Sequence, residues 1–169
     1  MIKIDLATIT DIAQVMEIKT EVLEFFNSLK DPQWNEYYPI EEDFLQDIES
    51  NSLFVARDEN LVVGFMALGK DFPPLYKSLP FKAELTKSMV LHRFAVRKEY
   101  RSRGLASFML NSAISICLQL NCYNIIVDTH ETNFPMQKFL EKFGFTYVST
   151  FKFPEIKEGS FIAFEKPLN

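Results

Sequence analysis

The chain has 169 residues, of which 47% are hydrophobic and 24% charged, a balance typical of one globular domain with a full core. Its net charge of −5 argues against a general nucleic-acid-binding protein, because phosphate backbones select positive surfaces. The two cysteines, Cys117 and Cys122, fit neither a zinc pattern nor a disulfide framework, so we expect free thiols. The charged, alternating start of the chain lacks the apolar run of a signal peptide, and no stretch is long enough to span a membrane. We therefore expect a cytoplasmic protein.

The first half of the chain predicts a strand, two helices and a hairpin, followed by a loop that contains three prolines. In order, these are a strand over residues 2–7, a helix whose apolar positions run from 12 to 26, a short helix near 42–48, a hairpin over 52–70 and a loop over 71–87.

The second half alternates strands and helices before two closing strands. In order, these are a strand over residues 88–97, a helix from about 104 to 120, a strand over 123–130, a helix over 134–143, and strands over 145–153 and 160–168. This order predicts a single α/β domain over residues 1–169, with a mixed sheet and helices on both faces. It lacks the regular alternation of a doubly wound dinucleotide fold.

A basic loop, RKEYRSRGLASFML over residues 97–110, joins the fourth strand to the next helix. Gly104 frees the backbone to turn, and the first amides of the helix have no internal partner. Those amides and the positive end of the helix make an anion site, and Arg97, Lys98, Arg101 and Arg103 add charge around it. A diphosphate suits this cradle; the alternative is a solvated basic turn. Neither a P-loop nor a GxGxxG turn is present.

Two motifs resemble those of a known family. Residues 101–106, RSRGLA, resemble the Q/R-x-x-G-x-G/A signature of the GNAT superfamily of acyl-CoA N-acyltransferases, and the preceding FAVRKEY resembles that family's lead-in to it. Downstream, NFPMQKFLEKFGF resembles the second signature, N-x-x-A-x-x-x-Y-x-x-x-G-F. Asn133, Glu141, Lys142, Gly144 and Phe145 fall in register with it. The resemblance covers about residues 88–150.

The resemblance implies a GNAT fold, with a central, mostly antiparallel twisted sheet that splays between strands 88–97 and 123–130. The acceptor side lies in residues 1–87 and the acetyl-CoA side in 88–150. The pantetheine arm would occupy the splay, and amides over residues 103–106 would hold the pyrophosphate. The implied coenzyme A site consists of Phe94, Ala95, Val96, Arg101, Ser102, Arg103, Gly104, Leu105, Ala106, Ser107, Asn133 and Phe139. Relatives are commonly dimers, so a homodimer is a further expectation.

The implied activity is N-acetyl transfer from acetyl-CoA to a primary amine by direct attack on the thioester, without a metal. The backbone amide of Phe94 would polarise the thioester carbonyl. His92 is the candidate base, because regular alternation places it on the same face as Phe94 and Val96, and an ordinary imidazole titrates near pH 6.5. The alternative is a histidine that fills space. Asp128 is interpreted as structural.

One position departs from the family pattern. Leu140 stands where many members carry a tyrosine that protonates the leaving thiolate, and Phe139 has no hydroxyl to replace it. The departing thiol has a pKa of about 8.5, so unassisted departure is tolerable. The alternative function is a coenzyme-A-binding sensor or scaffold with little or no catalysis.

The acceptor is expected to contact the aromatic and acidic N-terminal half. Aromatic rings and carboxylates together suit an ammonium group, so Trp34 and Tyr38 are substrate candidates. His130 is a further candidate, because it lies at the carboxyl end of the strand over residues 123–130, where functional groups gather in α/β folds. The alternative is that these rings belong to the core. The expected acceptor is a small-molecule or peptide amine; no nucleic acid or membrane partner is expected.

Overall fold

A computed structural model describes residues 1–168, and within that range one seven-stranded sheet carries four α-helices. All elements predicted from the sequence are present, in the predicted order. They are β1 Lys3–Leu6, α1 Ile12–Leu29, α2 Glu41–Glu49, β2 Leu53–Asp58, β3 Leu61–Gly69, β4 Ser88–Val96, α3 Leu105–Gln119, β5 Asn124–His130, α4 Phe134–Lys142, β6 Thr146–Phe151 and β7 Phe161–Pro167.

The strands lie in the order β1-β2-β3-β4-β5-β7-β6. Every neighbouring pair is antiparallel except β4 and β5, which are parallel. The prediction of a mixed, mostly antiparallel sheet is therefore confirmed. No helix within residues 1–168 is both long and apolar enough to cross a membrane.

Helices cover both faces of the sheet. On the α3–α4 face, side chains of β3, β4 and β5 such as Met66, Leu91 and Ile125 pack against Met109 and Leu140. On the α1–α2 face, α1 and α2 pack on β2 and β3. Farther along that second face, the loop over residues 71–87 lays Tyr76 over Val90 and Ile126. Each layer forms because the apolar side chains of the helices and the loop are buried against the sheet.

The sheet opens in the middle, between β4 and β5. These strands pair only from Ser88 with Asn124 to Val90 with Ile126. Beyond that point β4 remains paired with β3 as far as Val96, and β5 remains paired with β7 as far as His130. A gap therefore runs between the carboxyl-terminal halves of β4 and β5, where the predicted splay lies.

Candidate active site

A cavity of about 230 Å³ runs through this gap. Its walls come from both sides of the sheet: from α1 and Ala95 on the one face, and from Phe94, Val96 and α4 on the other. It brings together predicted cofactor residues from three separate segments. The lining residues are Val22, Phe25, Phe26, Phe94, Ala95, Val96, Arg101, Ala106, Asn133, Pro135, Met136 and Phe139.

The loop between β4 and α3 presents free amides beside this cavity. Gly104 has a φ of 82°, and a Cβ added there would meet no atom within 4 Å. No side chain caps α3, and the amides of Gly104, Leu105 and Ala106 donate to no acceptor within residues 1–168. Such amides at a helix start bind anions. The open space and the free donors fit a linked pair of phosphates.

The basic residues of the loop differ in what they contact. The guanidinium of Arg101 donates from Nε to the carbonyl oxygen of Val96 at 3.0 Å, and its Nη2 is enclosed with no acceptor in the described part of the chain. Arg103 lies over the ring of Tyr100 and lines a second cleft, of about 270 Å³, with Gly104. Both are placed to add positive charge beside a phosphate.

Arg97 does not belong to this cradle. Its guanidinium forms ion pairs with Glu17 at 3.0 Å and Glu21 at 3.5 Å, and it donates to the carbonyl oxygen of Val62. The expectation that four basic side chains surround the anion was therefore wrong for Arg97, which ties the loop to α1. Sequence could not show this, because its partners lie on a distant helix.

The two serines of the loop are candidates because of where they lie, not because of hydrogen bonds that they form. Ser102 has a φ of 60° in the turn, and Ser107 lies in the first turn of α3. Neither hydroxyl hydrogen bonds within residues 1–168, so both remain cofactor candidates on position alone.

On the far side of the gap, Asn133 caps α4. Its Oδ1 accepts from the amide of Met136 at 3.2 Å, which leaves the Nδ2 group for the cavity it lines. Phe139 lies 6.1 Å from the ring of Phe94 across the cavity. Leu140 is buried in the core beneath α4, so this position supplies no hydroxyl to the cavity.

A β-bulge in β4 overturns the predicted orientation of His92. Leu91 pairs with Leu68 and His92 with Ala67, but the next pair joins Ala95 to Phe65, so Arg93 and Phe94 have no register partner in β3. Arg93 has a φ of 47° there. Because the bulge inserts one residue, side chains beyond it change faces.

His92 therefore lies on the α1–α2 face with its partner Ala67, whereas Phe94 and Val96 lie on the α3–α4 face. The prediction that the three share a face was wrong. Burial, followed by the neighbouring charge of Arg93, lowers the pKa of His92 to about 3. The expected ordinary imidazole pKa was also wrong, and the structure gives no support to His92 as the proton acceptor.

Asp128 lies on the same face as His92, on the opposite side of the gap. It follows Ile126 by two residues on β5, and Ile126 packs with Val90 under Tyr76. The hydroxyl of Tyr76 donates to Oδ2 of Asp128. Burial raises the pKa of Asp128 to about 6, against the lowering effect of the Tyr76 hydrogen bond. Sequence reasoning missed Tyr76, which lies 52 residues away in a loop that carries no motif.

Arg93 carries a second polar cluster beside this face. It donates from Nε to Oδ2 of Asp47 at 2.6 Å, from Nη2 to Oδ1 at 2.7 Å, and from Nη1 to the hydroxyl of Tyr38 at 2.8 Å. Tyr38 is 39% exposed, and its contact with the acceptor stays a prediction. No local pattern indicated the Arg93–Asp47 pair, because its members lie 46 residues apart.

The other two substrate candidates are structural. Trp34 is 4% exposed and packs between Phe26 and Phe65. His130 is 2% exposed, and its two ring nitrogens lie at hydrogen-bond distance from the hydroxyl of Thr132 and the carbonyl oxygen of Glu158. Both are core residues, so their burial gives no support to the expectation that Trp34 and His130 contact the acceptor.

Two further chemistries find no support within the described residues. No cluster of three or more His, Cys, Asp or Glu side chains is arranged to hold a metal ion between residues 1 and 168. Burial raises the pKa of the Cys117 thiol to about 12, so it is not an activated nucleophile.

The splayed sheet, the cavity in the splay and the open start of α3 define the fold of the acetyltransferases that use acetyl-CoA. The chain belongs to the acetyltransferase (GNAT) family, whose family model matches residues 18–145. None of the curated proteins is significantly similar to it in sequence.

Solved structures agree with this assignment. A GNAT acetyltransferase of Streptococcus agalactiae superposes with a TM-score of 0.87 at 24% identity, over 99% of this chain and 96% of that one. A putative acetyltransferase of Staphylococcus aureus gives 0.76 at 26% identity, over 98% and 99% of the two chains. A putative acetyltransferase of Salmonella typhimurium, solved with its cofactor acetyl-CoA, gives 0.73 at 16% identity, over 100% and 95%.

Proposed function

We propose that this protein is an N-acetyltransferase that moves the acetyl group of acetyl-CoA to a primary amine by direct attack. The observation that carries the proposal is the cavity through the sheet, which begins beside the free amides of α3 and has walls from both faces. An acyl donor on one side and an acceptor on the other can meet only where a sheet is open.

The residues present suit coenzyme A. The amides of Gly104, Leu105 and Ala106 would hold the pyrophosphate, with Arg103 beside the second cleft. The enclosed and unpartnered Nη2 of Arg101 is a donor that an oxygen of the cofactor would satisfy. The backbone of β4 up to Val96 and the amide of Asn133 would flank the pantetheine arm.

Bound acetyl-CoA supplies an acyl thioester whose carbonyl carbon a neutral amine can attack. The backbone amide of Phe94 lies at the bulge, where β4 has no register partner in β3, and it would donate a hydrogen bond to the carbonyl oxygen as charge develops there. The cavity walls from α1 and α4 are mostly apolar, which would limit the access of water to the reacting groups. Leu140 gives no proton, so the thiolate would leave without a side-chain acid.

The buried Leu140 also favours a second candidate, a domain that binds coenzyme A without efficient catalysis. The two are separated by measuring free-thiol release from acetyl-CoA across a panel of primary amines, together with calorimetry of acetyl-CoA binding. Amine-dependent thiol release supports the transferase. Tight binding with no release on a broad panel supports the binding domain, and no binding at all overturns both.

A further inference from the structure

We infer that Asp128 is the group that anchors the acceptor ammonium and takes its proton, and that the acceptor is a cationic primary amine that enters from the α1–α2 face. The inference rests on the proposed acetyl transfer and deepens it. It assigns the base to a carboxylate on β5 rather than to His92 on β4.

Asp128 lies where the acyl group is expected to arrive. The gap closes at Val90 and Ile126, so the positions two residues farther along each strand, His92 and Asp128, flank its closed end. Going along β4 away from the loop that begins α3, the chain passes Val96 and Phe94, then the bulge at Arg93, and then His92. A thioester polarised by the Phe94 amide would therefore face a side chain at the closed end of the gap.

The carboxylate of Asp128 is held on one side and free on the other. Its Oδ2 accepts the hydroxyl of Tyr76, a residue 1% exposed in the core of the 71–87 loop. Its Oδ1 accepts no hydrogen bond within residues 1–168, and the residue keeps an intermediate exposure. One fixed oxygen orients the group, and the second is open to accept a proton from a bound ligand.

The surrounding charges favour a cation at this place. Arg93 is the basic residue next to His92. Its guanidinium nitrogens already donate hydrogen bonds to Asp47 and Tyr38. His92 stays neutral because burial lowers its pKa to about 3. Tyr76 stays protonated because burial and Asp128 raise its pKa. Asp128 therefore leaves the site with an uncompensated negative charge above about pH 6, which an ammonium group would neutralise.

The proton balance is complete with these groups. The bound ammonium gives one proton to Oδ1 of Asp128 and becomes a neutral amine. The nitrogen lone pair then forms the C–N bond as the C–S bond of the thioester breaks. The nitrogen loses its second proton, which neutralises the departing thiolate, and Asp128 returns the first to solvent. A carboxylate with a pKa near 6 is ionised and ready at neutral pH.

The test compares pH profiles of kcat/KM for one amine from the active panel. In the native chain, kcat/KM should rise tenfold per pH unit below about pH 6 and level off above it. Asp128→Asn should lose at least 100-fold at pH 7, and its remaining activity should rise with the free-amine fraction of the substrate, since no proton acceptor is then needed. Tyr76→Phe should keep the rise but move it to higher pH, because the hydrogen bond that lowers the pKa of Asp128 is gone.

Asp71→Asn is the matched control, because it removes one carboxylate from an exposed loop position while leaving Asp128 in place. It should keep the native profile. An unchanged profile in Asp128→Asn, or an equal loss in Asp71→Asn, would overturn the inference. Calorimetry of acetyl-CoA should give the same affinity for all variants, which separates loss of chemistry from loss of the cofactor site.

A direct measurement separates this inference from the proposed function. If no amine releases thiol, acetyl transfer falls, but the site can still be tested with benzylammonium as the probe. Adding it to the complex with coenzyme A should lower the pKa of Asp128 followed by carboxyl ¹³C NMR, and the neutral benzyl alcohol should not. Absence of any shift with benzylammonium would overturn the assignment of Asp128, whatever the activity assays give.

Discussion

Asp47 and Arg93 form a two-pronged ion pair that fastens α2 to the bulge of β4, with Nε–Oδ2 and Nη2–Oδ1 distances of 2.6 and 2.7 Å. Their side chains are only 10% and 9% exposed. Because the bulge turns Phe94 toward the α3–α4 face, this pair supports the proposed site from the other side of the sheet.

Asp47→Ala should therefore lower the free energy of unfolding by about 3 kcal/mol, since it leaves the buried Arg93 charge without its carboxylate partner. Urea denaturation checks this, with Glu42→Ala on the exposed side of the same helix as a control that should cost far less. Equal midpoints for the two variants would mean that the pair does not hold the bulge.

Gly104 is predicted to be needed for the cofactor and not for the fold. A Cβ there meets nothing within 4 Å, but Gly104→Glu would bring a carboxylate to the site where phosphates are expected. Gly104→Asn adds a side chain one methylene shorter and without charge, and Asn tolerates a positive φ. By calorimetry, we expect Gly104→Glu to lose at least tenfold in acetyl-CoA affinity and Gly104→Asn to lose much less. Full affinity in Gly104→Glu would place the anion elsewhere.

Arg101 and Arg97 form a matched pair of basic residues on one loop. Arg101→Met should weaken acetyl-CoA binding, because it removes the enclosed donor at the cavity. Arg97→Met should leave binding nearly unchanged and instead lower the melting temperature, because it removes contacts with Glu17, Glu21 and Val62. The two effects are read by calorimetry and thermal denaturation. An exchange of these outcomes would show that Arg97, not Arg101, contacts the cofactor.

The ionised Asp128 carboxylate should lower the free energy of unfolding at neutral pH. Its pKa rises from the model-peptide value of 3.8 to about 6 on folding, so the folded chain binds the proton more tightly. Its contribution to stability therefore falls as pH rises from about 4 through about 6, by up to about 3 kcal/mol. We expect Asp128→Asn to be more stable than the native chain at pH 7.5 and no more stable at pH 4. A constant difference between these two pH values in urea denaturation would contradict the raised pKa.

His92 should remain neutral across the physiological range. With a pKa of about 3 in the fold and 6.5 in a peptide, it removes stability as pH falls below about 6.5. Its ring signals in ¹H–¹³C NMR, assigned by their absence in His92→Gln, should not titrate between pH 5 and 8. A midpoint inside that window would return His92 to consideration as the base.

Much of the fold could be predicted because its signals are local. Apolar spacing indicates α1 and α3, alternation indicates β1, and the turn at Asp58–Asn60 indicates the hairpin of β2 and β3. The loop proposed to bind phosphate is also local: Gly104 and the start of α3 lie next to each other in sequence. For the same reason Asn133 and Phe139 could be matched to the cavity from motif alone.

What the tertiary structure decided depends on contacts between distant residues. One inserted residue at Arg93 reverses the alternation of β4 and moves His92 to the opposite face, which no count along a regular strand foresees. Trp34 is buried between Phe26 and Phe65, and His130 is buried among its hydrogen-bond partners, which leaves both substrate candidates without structural support. Only folding brings Tyr76 to Asp128, and only folding buries that carboxyl enough to raise its pKa. The sequence thus determines the helices, the strands and the residues of the Gly104 loop. The face on which a side chain lies, its burial and its charged partners are decided only when these elements pack together.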